Sequence, residues 1–316
     1  DWYESYRCLY GPYPYPPNDF KPKLTEQELQ SIDNIYPYPS NVDGRRAAYH
    51  IMGTIFGTAI GDCLGIYCEG HYPYDINIFI DQPLEITWTH PITTLRGSYF
   101  HRGSFTDDTA LMLMFIQSVV STAIKSRADT AATEPRPEDL TKIFDPNDSG
   151  RRIHHWICNG IDEHLDGSGI GRGLYTESVV RQTGFDEDTI QTSKQYWIDT
   201  GMWKCGNGGV MRTGACGCFF FWDEKKVIEI SKQFCKCTHY DPRCVFSSVL
   251  ISLIISRLIQ WRCGMIEVFD LDKTISDVKA IFQRQDGEDE EETETIADFS
   301  EIDQFLYAQN IDDLGV

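Results

Sequence analysis

The hydrophobic positions of this 316-residue chain fall into helical patterns from residue 45 onward. Long apolar segments are separated by polar loops, and strands and helices do not alternate as they would in a parallel sheet. Two segments, residues 110–120 and 244–261, are apolar on nearly every face, which predicts helices that are buried on all sides. The pattern therefore predicts an all-α protein with these two helices at its centre.

Shorter apolar repeats predict further helices. Residues 45–60 place apolar side chains on one face, and Gly53, Gly57 and Gly61 recur at four-residue intervals that permit a close backbone approach. Gly and Pro residues separate the remaining amphipathic candidates. Those candidates are residues 137–143, 153–166, 224–235 and 272–282.

Two regions of the chain depart from this helical pattern. Residues 1–44 hold half of the prolines and nearly half of the tyrosines, so we expect an extended arm with one short helix beginning near Thr25. Ten acidic residues and no lysine or arginine lie within residues 286–303, which predicts a solvated acidic loop. No composition break divides residues 45–316, so we expect these residues to form one domain that carries the loop.

The chain is acidic, with 28 Lys and Arg residues against 48 Asp and Glu residues and a formal net charge of −20. Binding to nucleic acid through bulk charge is therefore disfavoured. The longest uncharged apolar run, residues 244–256, is shorter than the roughly 20 residues that span a bilayer, so no membrane helix is predicted. The eleven cysteines are an odd number and suit reduced thiols, so we expect a cytoplasmic protein. We also expect a monomer.

Two adjacent aspartates, Asp107 and Asp108, stand directly before the first central helix and next to the hydroxyl of Thr106. Carboxylates are favoured in any first helical turn, so one interpretation is an ordinary acidic helix start with Ser104 or Thr106 as the cap. The other interpretation is a metal site, because neighbouring carboxylates repel unless they are solvated or bind a hard cation such as Mg²⁺. The residues alone leave both interpretations open.

Two glycine-rich segments would let the backbone approach a ligand. Residues 57–65 end the first long helix in a Gly-bounded turn, but such a turn is also a normal helix stop. Residues 206–209, Gly-Asn-Gly-Gly, tolerate positive φ and expose successive N–H groups that suit an anion such as a diphosphate. A tight turn before the next helix explains the same composition equally well.

The cysteine and histidine spacing argues against a zinc site. Two Cys-x-Cys pairs precede His239, but zinc sites usually space their cysteines as Cys-x2-Cys, and several of these cysteines lie in apolar runs. We therefore interpret them as buried thiols. Residues 238–243 could cap the second central helix while presenting His239 and Arg243 to a cleft. The cysteines concerned are Cys216, Cys218, Cys235 and Cys237, and His154, His155 and His164 suit an exposed helix face.

The order of four motifs says more than any one of them. The motif Gly-Asp-Cys-Leu-Gly ends at Gly65, and Gly-Ser-Phe-Thr-Asp-Asp-Thr ends at Thr109. They are followed by Gly-Asn-Gly-Gly-Val-Met-Arg, which ends at Arg212, and by Thr-His-Tyr-Asp-Pro-Arg-Cys, which ends at Cys244. This succession resembles the ADP-ribosylglycohydrolase family. The resemblance implies a compact orthogonal multi-helix bundle and Mg²⁺-dependent hydrolysis of the glycosidic bond that links ADP-ribose to a protein side chain.

The resemblance also implies roles for individual residues. Thr106, Asp107 and Asp108 match metal ligands of the family, which binds two Mg²⁺ ions, with Mn²⁺ as a substitute, and the two aspartates are expected to be catalytic. Glu69 matches an acidic residue that contacts the metal and the reacting water. The implied partner is ADP-ribose or an ADP-ribosylated protein. The positions that match ADP-ribose-binding residues are Gly206, Asn207, Gly208 and His239.

One motif of the family does not occur in the sequence. This is the Gly-Gly-Asp-x-Asp-Thr element that completes the binuclear site. The pair Asp312-Asp313 does not replace it, because the sequence around this pair resembles a part of the family that precedes the element. We therefore expect either a fragment of a longer protein or a natural variant without the second group of metal ligands. The second case implies a catalytically impaired pseudoenzyme that binds ADP-ribose or has a structural role.

Overall fold

The fold is all-α throughout the part of the chain that the structure describes, which confirms the predicted class. The computed structural model describes residues 42–66, 104–129, 144–161, 171–283, 296 and 298–307, with the backbone alone for 124–129 and 305. These residues form nine α-helices, two short 3₁₀ helices and one isolated bridge between Gln283 and Ile296, with no strand among them. The helices are α1 (Gly44–Gly65), α2 (Asp107–Asp129), α3 (Pro146–Asn159), α4 (Leu174–Val180), α5 (Thr189–Asp199), α6 (Glu224–Lys236), α7 (Pro242–Arg262), α8 (Leu271–Phe282) and α9 (Ser300–Tyr307), and the 3₁₀ helices are Asn207–Gly209 and Thr213–Gly217.

Aspartate residues start most of these helices. In six of them an Asp at the N-cap accepts a hydrogen bond from a backbone N–H of the first turn, which satisfies a donor that has no acceptor inside the helix. Part of the large acidic surplus is therefore structural. The capping residues are Asp43, Asp145, Asp188, Asp223, Asp241 and Asp270.

The α7 helix lies at the centre and packs against α1, α6, α8 and the second 3₁₀ helix. It has 21 residues, because it continues through Arg257 to Arg262, so it is longer than the uncharged run in the sequence. In the described ranges it is the one helix long and apolar enough to cross a membrane, with a mean hydropathy of 1.7 over its most apolar window. However, 61% of that window is buried inside the protein, so packing against the other helices accounts for its composition.

The other central helix, α2, is buried as its sequence predicts, with Leu111 and Phe115 inaccessible to solvent. The ring of Phe115 lies 4.7 Å from that of Phe234 on α6 and 5.4 Å from that of Phe144, which precedes α3. This aromatic cluster fixes α2 against α6 and α3. The first turn of α2 is thereby held close to the segments that connect α3 to α7.

Several helix boundaries differ from the prediction. The helix predicted at 153–166 is α3, which begins at Pro146 because Asp145 caps it and proline is favoured in the first turn. The sequence patterns did not predict α4, α5 and α9. The C-terminal end of the predicted acidic loop is helical and partly buried. The helix α9 begins at Ser300, and the side chains of Ile296 and Ile302 are buried. The arm up to residue 41, the helix predicted at 137–143 and residues 286–294 lie outside the described residues.

The glycines of α1 do not have the predicted role within the described structure. The helix ends at Gly65, within the predicted segment, but residues 57–65 are helical and the turn follows at Ile66. A Cβ on Gly53, Gly57 or Gly61 would meet no other atom of the described residues within 4 Å. The predicted close backbone approach is therefore not seen among these residues.

Candidate functional site

A carboxylate from α1, Asp62, holds the start of α2. Its Oδ2 accepts hydrogen bonds from the backbone N–H of Thr106 at 2.9 Å and from that of Thr109 at 3.1 Å. The hydroxyls of the two threonines also donate to Asp62, each at 2.7 Å. The N–H of Thr109 thus bonds to a distant aspartate and not to Ser104 or Thr106, the caps that the sequence suggests.

The three residues predicted to bind metal lie together at this helix start. The hydroxyl of Thr106 is 3.3 Å from Oδ2 of Asp108. Asp107 is only 7% exposed, and its Oδ2 accepts a hydrogen bond from the backbone N–H of Gly173 at 3.2 Å. Carboxylate and hydroxyl oxygens are the ligands that Mg²⁺ prefers, so the side chains present fit this cation. Glu69, the further predicted acidic residue, lies outside the described residues.

The segment before α4 passes directly over this group. Gly171 has a φ of +78°, and a Cβ there would lie 2.7 Å from Cβ of Thr106, so glycine is required on both conformational and steric grounds. Two residues later, a Cβ on Gly173 would lie 3.9 Å from Oδ2 of Asp107 and 3.9 Å from Oγ1 of Thr176. The same Thr176 oxygen would lie 3.3 Å from a Cβ on Gly208. Thr176 therefore lies between the aspartates and the predicted ADP-ribose-binding turn.

The turn at residues 206–209, hereafter the glycine turn, is closed around the imidazole of His239. A Cβ on Gly208 would lie 2.7 Å from Cε1 of His239, and a Cβ on Gly209 would lie 3.2 Å from its Cβ. A Cβ on Gly206 would be 3.5 Å from its Nε2, which is an ordinary contact. None of the three glycines has a positive φ. The sequence predicted that they serve conformational freedom, but here they provide space.

His239 is a neutral support for the turn. It is 2% exposed, and its Nδ1 lies 2.8 Å from Oγ1 of Thr238, which accepts a hydrogen bond from Arg212 at 2.7 Å. Burial lowers the pKa of His239 to about 3, and the charge of Arg212 acts in the same direction. Its ring also lies 5.0 Å from that of Tyr175. The imidazole therefore carries no charge near neutral pH and contributes its volume to the turn.

Arg212 supports the glycine turn from within the core. The side chain is fully buried, its Nη2 also donates to the carbonyl of Phe234 at 3.0 Å, and its guanidinium lies 4.6 Å from the centre of the Phe234 ring. Its Nε and Nη1 have no hydrogen-bond partner in the described part of the chain. Burial lowers the pKa of Arg212, while nearby acidic groups that include Asp107 act in the opposite direction. One buried cation thus holds Thr238, which in turn contacts the imidazole that supports the turn.

The remaining predicted residues have other environments. Asn207 is exposed, and its carbonyl accepts hydrogen bonds from the backbone N–H of Val210 and Met211, which form the turn itself. Arg243, which was expected to face a cleft, forms ion pairs at 3.0 Å with Asp241 and with Glu301. Arg243 therefore serves to join the start of α7 to α9.

The cysteines of the two Cys-x-Cys pairs are buried thiols, as predicted. Burial raises the pKa of Cys218 to about 12, that of Cys235 to about 11 and that of Cys237 to about 12. His154 pairs with Asp186 at 2.9 Å on the surface. His155 is exposed, and His164 lies outside the described residues.

Sequence reasoning missed Asp62 and Thr176. It also missed that Arg212 is buried and donates to Thr238 beside His239. Asp62 did have a signal, because it lies in the last turn of α1, where the negative end of the helix dipole disfavours a carboxylate. Such a residue needs donors from elsewhere, and Thr106 and Thr109 supply them. Thr176 had no comparable signal, since its role follows from the packing of α4.

Comparison with known proteins identifies the family of the chain. No curated protein sequence matches the chain. The model of the ADP-ribosylglycohydrolase family, a family of glycosyl hydrolases, matches residues 45–313, which include the start of α2, the glycine turn and His239. The chain therefore belongs to the ADP-ribosylglycohydrolase family.

Proposed function

We propose that the protein binds ADP-ribose at the glycine turn and hydrolyses the glycosidic bond between ADP-ribose and a protein side chain, with Mg²⁺ held by Thr106, Asp107 and Asp108. The observation that carries this proposal is the position of Thr176, between Asp107 and Gly208. A glycohydrolase must grip one part of its substrate while reacting groups meet another part. Adjacent carboxylates and a glycine turn meet that requirement.

The glycine turn would bind the diphosphate through backbone N–H groups. Successive glycines allow an anion to approach the main chain closely, and main-chain amides attract it without a cationic side chain. His239 beneath the turn is neutral and adds no charge. This mode suits a protein with a net charge of −20, because the attraction is local to the turn.

Asp107 and Asp108 would lie beside the ribose whose C1 is bonded to the acceptor side chain. This carbon gains positive character as the bond breaks. Asp107 and Asp108 would hold Mg²⁺ beside it and would not act as the carboxylate pair of ordinary glycosidases. Bound Mg²⁺ would supply Lewis-acid chemistry, which lowers the pKa of a water and polarises hydroxyls. The hydroxyl of Thr106 donates its proton to Asp62, so its lone pairs stay available to a cation. We assign Glu69 to the reacting water from its place in the sequence.

A second candidate is ADP-ribose binding without hydrolysis. It is supported by the close fit of the glycine turn, which does not depend on a metal. Both candidates require the glycine turn, but only hydrolysis requires that Asp107 and Asp108 promote bond cleavage.

The test is incubation of the chain with ADP-ribosylated arginine and serine peptides, with and without Mg²⁺, followed by measurement of the released ADP-ribose. In the double variant Asp107→Asn/Asp108→Asn, we expect no Mg²⁺ binding by calorimetry. We also expect release to fall about a hundredfold or more, because the stabilisation of charge in the transition state is lost.

The matched control is Asp270→Asn, which makes the same change at the cap of α8, where asparagine caps equally well. Asp270→Asn should leave Mg²⁺ binding and release unchanged. An unaltered Mg²⁺ titration in the double variant would contradict the metal site. Binding of ADP-ribose by the unmodified chain with no release from either peptide would establish the second candidate.

A further inference from the structure

Two cysteine sulfurs meet beside the glycine turn and have no part in the proposed reaction. Sγ of Cys205 lies 3.4 Å from Sγ of Cys244. Cys205 is exposed and directly precedes Gly206, whereas Cys244 is buried near the start of α7. A disulfide has an S–S length of about 2.05 Å, so the two sulfurs need to approach by only about 1.4 Å to form one.

The two thiols differ in a way that suits a reactive and a resolving cysteine. The hydrogen bond with Cys244, with a contribution from the charge of Arg243, lowers the pKa of Cys205. The same hydrogen bond and burial raise the pKa of Cys244. A lower pKa raises the thiolate fraction, and thiolate is the nucleophile in disulfide exchange. Cys205 is thus the exposed nucleophile, with a second sulfur already beside it.

A metal site is a weaker account of the same cluster. The carboxylate of Asp241 lies within 4.8 Å of both sulfurs and could be a third ligand. However, Asp241 accepts hydrogen bonds at 3.0 Å from Nε and from Nη2 of Arg243, and another at 3.2 Å from the indole of Trp197. A guanidinium bound to the carboxylate repels a cation, and two sulfurs alone fall short of the four ligands of a structural zinc site.

We propose that Cys205 and Cys244 form a reversible dithiol–disulfide site whose oxidant is a low-molecular-weight disulfide. The Cys205 thiolate attacks one sulfur of that disulfide, a mixed disulfide forms, and the first thiolate leaves and takes up a proton. Cys244 then loses its proton and attacks Sγ of Cys205, which expels the second thiolate. Two protein thiols are oxidised to one disulfide, and the small disulfide is reduced to two thiols.

The disulfide would change the glycine turn. In the reduced protein Sγ of Cys244 also lies 3.3 Å from the carbonyl oxygen of Gly206, so its single S–H donor is shared between that oxygen and Sγ of Cys205. Oxidation removes this donor and draws Cys205 toward α7, so Gly206 has to move. This consequence rests on the proposed function, and we expect the affinity for ADP-ribose to fall about threefold or more.

The test is oxidation of the full chain with oxidised glutathione in the presence of a chelator, followed by alkylation and mass spectrometry. We expect the loss of two hydrogen masses, a non-reduced peptide that joins Cys205 to Cys244, and complete reversal by dithiothreitol. Cys244→Ser should instead accumulate glutathione on Cys205. Cys205→Ser, a change at an exposed position, should give no joined peptide. Cys158→Ser removes the other fully exposed thiol of the described residues and should not alter the joined peptide.

Two outcomes would overturn the proposal. One is a wild-type protein that accumulates glutathione on Cys205 without forming the joined peptide. The other is stoichiometric binding of Zn²⁺ that protects both thiols from alkylation, which would make the cluster a metal site. The joined peptide is measured without ADP-ribose, so failure of the reduced protein to bind ADP-ribose would count against the proposed function alone.

Discussion

The start of α2 and the glycine turn are the two halves of the proposed site, and different forces hold them in place. At the start of α2, the carboxylate of Asp62 accepts four hydrogen bonds from Thr106 and Thr109. At the glycine turn, Gly208 fits closely against the neutral ring of His239, and Gly209 fits closely against Sγ of Cys235 and Cβ of His239. The first half depends on charge and hydrogen bonds, and the second depends on the volume of the side chains beneath the turn.

This difference matches what each half would bind. A cation is bound by carboxylates, and a carboxylate such as Asp107 remains charged when buried only if donors compensate its lost hydration. A diphosphate requires the opposite, a place without negative charge where backbone N–H groups are accessible. A neutral support under the turn provides such a place.

The largest stability effect should come from Asp62→Ala, which breaks the first half. Removing one carboxylate leaves four donors at the start of α2 without their acceptor, and hydrogen bonds to charged groups are the stronger kind. We expect the free energy of unfolding to fall by about 3 kcal/mol. Urea denaturation measures this change, and a Mg²⁺ titration of the same variant should show weakened binding, because Thr106 loses its anchor.

Asp43→Ala is the control for this variant. Asp43 is an exposed local cap that bonds only to the backbone N–H of Arg45 and Arg46, and its removal should reduce the free energy of unfolding by about 1 kcal/mol. Equal losses from the two substitutions would show that Asp62 is an ordinary cap. The start of α2 would then not depend on a distant charge.

The second half is tested by Gly208→Ala, with a smaller expected effect. The added Cβ would lie 2.7 Å from His239, and overpacking of this kind should lower the free energy of unfolding by about 2 kcal/mol. ADP-ribose binding should weaken as well. The change is measured by urea denaturation, and the matched control is Gly206→Ala in the same turn, whose Cβ would make an ordinary 3.5 Å contact and leave stability almost unchanged.

A double variant shows whether His239 is the cause. Truncation in His239→Ala removes the atoms with which the new Cβ collides. Gly208→Ala should therefore lower the free energy of unfolding by less in that background than in the wild type. Additive effects of the two substitutions would mean that the turn relaxes away from the ring. The close fit would then not be what holds the turn.

The sequence was sufficient for the two central helices and for the expectation that Thr106, Asp107 and Asp108 lie together at a helix start. Both rest on local features, since an all-round apolar pattern requires burial and adjacent carboxylates require donors or a cation. The bond from Asp62 to Thr106 could not be predicted in this way, because 44 residues separate the partners. Only the packing of α1 against α2 brings them together.

The glycine turn shows a different limit of sequence reasoning. The residues were identified correctly as unusual, but the reason given was tolerance of positive φ, which they do not have. In the structure a Cβ on Gly208 would collide with the ring of His239, which is 31 residues later in the chain, and a Cβ on Gly209 would collide with Sγ of Cys235. A missing side chain is visible in a sequence, but the atom that would collide with it is not.

The last prediction concerns the pH dependence of stability, and it follows from the neutrality of His239. Burial lowers its pKa from an ordinary value near 6.5 to about 3, so between these values the unfolded chain binds a proton that the folded protein does not. Stability should therefore fall as the pH falls through this window, by up to about 1.4 kcal/mol per pH unit from this group. Urea denaturation from pH 7 to pH 5 should show a shallower slope for His239→Gln than for the wild type, whereas His155→Gln, at an exposed position on α3, should keep the wild-type slope. If His239→Gln also keeps that slope, the imidazole takes up a proton in the folded protein, and the glycine turn does not close over a neutral ring.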